Sequence, residues 1–147
     1  MGLFSRRQEA PTVDHRLEDL NAEYQNYRRR TAMELEQTAA QSARKTAAAF
    51  LPIYDDLQRA LASPCTDEAF YKGVELILSG LLHTLAELGI QPMDSKGKIF
   101  NPTYHEAVKH ICDPKYRQEE IVEVVQMGFI MDDQIIRHAK VVVANCQ

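Results

Sequence analysis

From Val13 onward, every third or fourth residue is apolar or small: Val13, Leu17, Leu20, Tyr24, Tyr27, Thr31, Leu35, Thr38, Ser42, Thr46 and Ala49. The mean step is about 3.6 residues, the period of a straight α-helix rather than the 3.5 that winds a left-handed supercoil. No glycine or proline interrupts Thr12 to Leu51. The pattern therefore predicts one long helix over residues 12–51, roughly 60 Å in length, with Thr12 or Asp14 as its cap. Such a helix cannot cover its own stripe. An identical helix alongside is the simplest cover, which predicts a homodimeric stalk with Leu17, Leu20, Tyr24 and Tyr27 in the seam. Later seam positions are Thr, Ser and Ala, which bury little apolar surface, so the seam is expected to weaken along its length.

Pro52 lacks an N–H and clashes with the preceding turn, so a break or kink is expected there. "LPIYDDLQRAL" reads as a short helical piece and "ASPCTDE" as a turn, with Thr66 or Asp67 capping the next helix. That helix runs to about Leu88 and stops at Gly89. Val74, Ile77, Leu78, Leu81, Leu82, Leu85 and Leu88 give it a wide apolar face. This face suits a bundle of at least four helices, more than one chain supplies, and so again implies a dimer, with Leu78, Leu81, Leu82 and Leu85 at the interface. The helical-bundle segment spans residues 52–89. Beyond it the period changes to that of strands. "DSKGK" reads as a hairpin turn, and "EIVEVVQMGFIM" and "IIRHAKVVVA", rich in β-branched residues, flank the turn "DDQ". Residues 90–147 are expected to form a small β-domain. The fold class is α+β.

Composition narrows the function. A formal net charge of −4 over 147 residues argues against a dedicated nucleic-acid binder. Cys65, Cys112 and Cys146 are far apart and form no CxxC, which suits a reducing compartment. The apolar run near the start, Leu3-Phe4, is too short for a signal peptide, and Arg6 stands where myristoylation wants Ser or Thr. Residues 1–11 are expected to be a flexible tail. The most apolar stretch, Gly73 to Ile90, contains Glu75, His83 and Glu87 and reads as an amphipathic helix rather than a membrane span. A cytoplasmic protein is expected.

Several residues invite a chemical reading. His105, Glu106 and His110 form H-E-x-x-x-H, one residue longer than the metalloprotease spacing. On a helix the extra residue turns the second imidazole away by about 100°, so no metal site is expected. The alternative is that Asn101-Pro102 turns the chain and His105 satisfies a nearby backbone group. Hydrolase-elbow, P-loop and dinucleotide motifs are missing from the sequence, which leaves no expected catalytic residue and no cofactor. Asp55-Asp56 and Asp132-Asp133 read as solvated charge. Arg28 to Arg30 are either a solvated helix face supported by an Arg30–Glu34 pair or a contact for carboxylates or phosphates; the acidic balance favours a protein partner. Gly73, inside a helical pattern, points to something packed close to that backbone.

Five segments together resemble the GrpE family, the nucleotide exchange factors of DnaK-type Hsp70 chaperones: "NYRRRT", "LPIYDDLQRAL", "GVELILSGLLHTLAELGI", "FNPTYHEAV" and "GFIMDDQIIRHAKVVVA". They extend from about residue 24 to the end. The resemblance implies a homodimer with a parallel helical stalk, a four-helix bundle and a small β-domain on each protomer. It implies no catalysis. One protomer would grip the Hsp70 ATPase domain, hold its cleft open and let ADP leave. It also implies partner contacts from Arg28 and Arg29 on the stalk, from Gly73 on the bundle helix, and from Val125, Gln134, Arg137 and Val143 on the β-domain, with Asn101, Pro102 and His105 shaping the adjoining loop. Many family members have a longer or basic residue at Gln134, a small residue or proline at His138, and a longer acidic segment before the stalk. The rival reading is a dimeric coiled-coil scaffold or adaptor whose β-domain binds some other protein. A nucleic-acid binder built on Arg28 to Arg30 would need a broader basic surface than the composition supplies.

Overall fold

The computed structural model describes residues 13–145. The expected tail, the Thr12 cap and Cys146 lie outside them. The order is α1 (Val13–Ala62), α2 (Glu68–Glu87), β1 (Ile90–Pro92), β2 (His105–Ile111), β3 (Ile121–Gln126), β4 (Phe129–Met131), β5 (Gln134–Arg137) and β6 (Ala139–Ala144). The fold is α+β. The chain divides after Ser42 into two compact units.

The first unit is the N-terminal part of α1. Its stripe lies open: Leu17 is 59% exposed, Leu20 61% and Tyr24 55%. The helix supports itself locally through the expected Arg30–Glu34 pair at 3.6 Å and a bond from Thr38 Oγ1 to the Glu34 carbonyl at 2.7 Å.

In the second unit α1 continues through Pro52 to Ala62, so of the expected break or kink the break does not occur. A proline inside a helix costs roughly 3 kcal/mol. Here it is flanked by Leu51 and Tyr54, both buried, and burial of a Leu-sized side chain contributes about 1.5–3 kcal/mol each. The packed helix outweighs its local defect. The turn after α1 behaves as read: the Asp67 carboxylate accepts from the Ala69 and Phe70 N–H groups and caps α2. Gly89, with φ +77°, ends it.

Two apolar clusters organise this unit. Ala47, Leu51 and Tyr54 of α1 meet Leu78 and Leu85 of α2, Ile90 of β1 and Phe129 of β4. Met93, Ile121, Ala139, Val141 and Val143 form the second cluster. The sheets are β1-β4-β5, wholly antiparallel, and β2-β6-β3, in which β6 is parallel to β2 and antiparallel to β3. Central β6 carries the unbroken run Val141–Ala144, all buried, as a strand covered on both faces requires. The β4–β5 connection is the expected hairpin. Asp132 and Asp133 both have positive φ, 46° and 62°, the geometry of a two-residue type I′ turn. "DSKGK" does turn at Lys96-Gly97 but closes no hairpin, because β1 pairs with β4 and Ile99 bridges Glu120. Gly128 is obligatory: an added Cβ would lie 2.5 Å from the Ala139 nitrogen.

Candidate functional site

The loop before β2 is built on Asn101. Its side-chain Oδ1 accepts from the Thr103 N–H at 2.9 Å, and its carbonyl accepts from the Tyr104 and His105 N–H groups. The Asn101 N–H in turn donates to His105 Nδ1 at 3.0 Å. That bond leaves the ring proton on Nε2, which faces the Ser95 Oγ at 3.0 Å. Burial, and secondarily the Lys98 ammonium, hold the His105 imidazole below its ordinary pKa. Ser95 beside His105 superficially resembles a nucleophile and its base, but Ser95 is 1% exposed and both imidazole nitrogens serve the loop. His105 thus satisfies a backbone group, as the non-catalytic reading expects. The H-E-x-x-x-H segment is strand, not helix. Among the described residues no group of three or more His, Cys, Asp or Glu is placed to hold a metal ion.

The residues expected to contact a partner fall into two sets. Arg28, Arg29, Gly73, Asn101, Pro102, Val125 and Gln134 are exposed. Arg28 stacks over the Tyr24 ring at 5.9 Å. Asn101 and Pro102 present the loop built above. Val125 projects beside a groove of about 630 Å³ between the last turns of α1 and strand β3, lined also by Tyr54, Gln58 and Lys140. Val143 and Arg137 differ. Val143 has no exposed surface and is a core residue of β6. Arg137 is turned inward, paired with Asp55 through Nη1–Oδ2 at 2.7 Å and Nη2–Oδ1 at 2.8 Å.

Asp55 was legible only as solvated charge, and the structure corrects that: its side chain is 20% exposed and also accepts from Gln126 Nε2 at 2.9 Å. The available signal was its position one turn after Leu51, on the buried side of α1. Asp56, by contrast, is exposed and pairs with Arg59 at 3.1 Å. The close packing expected at Gly73 is also not made within the protomer, where an added Cβ meets nothing within 4 Å. The α2 residues expected at the dimer interface are placed as follows. Leu78 and Leu85 are buried in the protomer's own core, with Leu81 and Leu82 packed against it. Phe70 and Ile77 on the same helix and Leu88 at its C-cap are left uncovered at 63%, 60% and 59% exposure. Gly73 and Gly80 lie alongside, equally open.

The chain is similar to known proteins along most of its length. The family model described as GrpE matches residues 5–145. The protein named GrpE from Clostridium acetobutylicum is 40% identical over 137 residues, covering 93% of this chain and 68% of that protein. Its namesake from Clostridium beijerinckii is 41% identical over 130 residues, covering 88% of this chain and 62% of that protein. Protein GrpE from Bacteroides thetaiotaomicron is 36% identical over 130 residues, covering 86% and 67%. The chain therefore spans roughly two thirds of the length of these relatives. With a family model matched from residue 5 to 145 and relatives at this identity, the chain belongs to the GrpE family.

Proposed function

We propose that two copies of this chain pair along their long helices, and that the pair binds the ATPase domain of a DnaK-type Hsp70 in the cytoplasm and accelerates ADP release. Family membership across residues 5–145 carries this reading. Two open apolar stripes support pairing: Leu17, Leu20, Tyr24 and Tyr27 on α1, and Phe70 and Ile77 on α2 with Leu88 at its C-cap. Contiguous exposed apolar residues of this kind mark interaction surfaces. Gly73 and Gly80 beside the second stripe allow a neighbouring helix to approach closely. Among the described residues no helix is long and apolar enough to cross a membrane.

The mechanism is a population shift. A factor that binds the open cleft better than the ADP-closed one raises the open population, and ADP leaves from it. By reciprocity, ADP weakens the factor's own binding by the same coupling free energy. Nothing is cleaved or transferred by this chain, and the reading assigns it no catalytic residue, metal or cofactor. Contact falls to the exposed set: Arg28 and Arg29, whose guanidinium forks suit carboxylates, with Gly73, Asn101, Pro102, Val125 and Gln134.

Stopped-flow release of a fluorescent ADP analogue from a DnaK-type Hsp70 tests this. Addition of the protein is expected to increase the release rate, and light scattering is expected to give the mass of two chains. Gly73→Asp has room within the protomer, so it is expected to abolish the acceleration while leaving the β-domain folded. A dimer that leaves ADP release unchanged would instead be the scaffold or adaptor.

A further inference from the structure

We propose that Arg137 is a positioning residue, which locks both sheets to α1 so that the partner-facing side chains are held in one orientation. The inference rests on the Hsp70 reading for what that orientation serves, but the lock itself stands on geometry.

One guanidinium ties together four places in the chain. It forms both bonds of a fork to Asp55 on α1, and it donates through Nε at 3.0 Å and Nη2 at 2.6 Å to the Met127 carbonyl between β3 and β4. Asp55 reaches onward to Gln126, the last residue of β3. The guanidinium lies over the Phe129 ring of β4 at 5.7 Å. Phe129 meets Tyr54, the α1 neighbour of Asp55, edge-on at 5.1 Å. Both charged side chains are only 20% exposed, so salt screens them less than the surface pairs of α1.

The orientation matters because the candidate contacts lie on the pieces being tied. Gln134 begins the strand that Arg137 ends, and Val125 precedes Gln126. A planar fork fixes angle as well as distance, which a lysine ammonium cannot. If the fork is lost, Val125 and Gln134 still exist but no longer point one way relative to α1.

The test uses the full chain with Cys65, Cys112 and Cys146 changed to Ser and spin labels at Ala60→Cys on α1 and Glu123→Cys on β3, both exposed. With the doubly labelled chain diluted into an excess of unlabelled chain, so that each dimer holds at most one labelled copy, the unmodified lock is expected to give one narrow label–label distance distribution. Asp55→Asn, close to isosteric, and Arg137→Lys, which keeps the charge, are each expected to broaden it. Both are expected to raise the concentration giving half-maximal ADP release roughly tenfold while the maximal rate changes little. Merely structural glue would lower the melting temperature and leave both the distribution and that concentration unchanged. A broad distribution in the unmodified lock, or a narrow one in both variants, overturns the inference. If the distributions respond as stated but no form accelerates ADP release, the Hsp70 reading fails and the lock remains.

Discussion

Helix α1 is one continuous element living under two regimes. Up to Ser42 its apolar positions face solvent; from Ala47 the same helical period feeds a core of Leu51, Tyr54, Leu78 and Phe129. The local chemistry is similar, since both stretches are free of glycine and both repeat at helical spacing. What differs is whether the rest of the chain supplies a cover. The second stretch owes its stability to its own protomer and can even absorb Pro52. The first gains little from burial within one chain, because side chains in solvent contribute almost no transfer free energy. Its persistence then depends on propensity, exposed ion pairs worth at most about 1 kcal/mol each, and a second copy.

The largest effect that would break this comparison lies in the covered region. Phe129 has no exposed surface and joins Tyr54 to the Arg137 lock. Phe129→Ala is expected to cost about 3–5 kcal/mol of unfolding free energy. Urea denaturation followed by near-ultraviolet circular dichroism measures it. A cost under about 1 kcal/mol would mean that the α1–β4 packing is not the centre of this unit.

The next effect is smaller and sharpens the contrast. In an unpaired helix Leu20→Ala removes an already solvated side chain and shifts stability by no more than about 0.5 kcal/mol. In a paired stalk it removes burial worth roughly 1.5–3 kcal/mol per copy. We expect the paired outcome, with the midpoint of helicity loss falling and depending on protein concentration. Thr38→Ala, in the weaker seam, is expected to do far less. Because Thr, Ser and Ala bury so little, helicity of the stalk is expected to be lost reversibly before the second unit melts. A single sharp calorimetric transition would contradict this.

How far these features could be read in advance follows the range of the interaction that makes them. The Asp67 cap, the Gly89 stop and the Asp132-Asp133 turn each depend on residues within a few positions, and local rules find them. Pro52 misleads because its penalty is local and its compensation is not: Leu51 and Tyr54 pack on residues of α2 and β4. The apolar face of α2 is legible as a face, but the pattern does not say which half the protomer covers. Leu78 and Leu85 go inward, while Ile77 and Leu88 do not. Asp55 and Arg137 are 82 positions apart, and no period connects them. Asp55 therefore looked solvated and Arg137 looked available. Family likeness implies partner contact at Arg137 and Val143; within the protomer the first is engaged by Asp55 and the second lies in the core of β6.

The smallest expected effect concerns the loop at His105. Its Nδ1 accepts the Asn101 N–H, so a proton cannot enter there without breaking that bond. Burial, then Lys98, set the folded-state pKa below the ordinary 6.5. The neutral ring is thus bound more favourably in the folded state than in the unfolded one. Its contribution is complete above the unfolded value and fades as pH falls through the lower folded value. The melting temperature of the second unit is therefore expected to be flat in this respect above pH 6.5 and to decline on acidification below it. Partial exposure of the ring keeps the decline modest. His105→Gln keeps an acceptor for Asn101 and has nothing to titrate, so it should flatten that part of the profile. A profile identical in both proteins would place the acid sensitivity elsewhere, whereas a rise in stability on acidification that His105→Gln removes would reverse the sign and show that the imidazole is held charged rather than neutral.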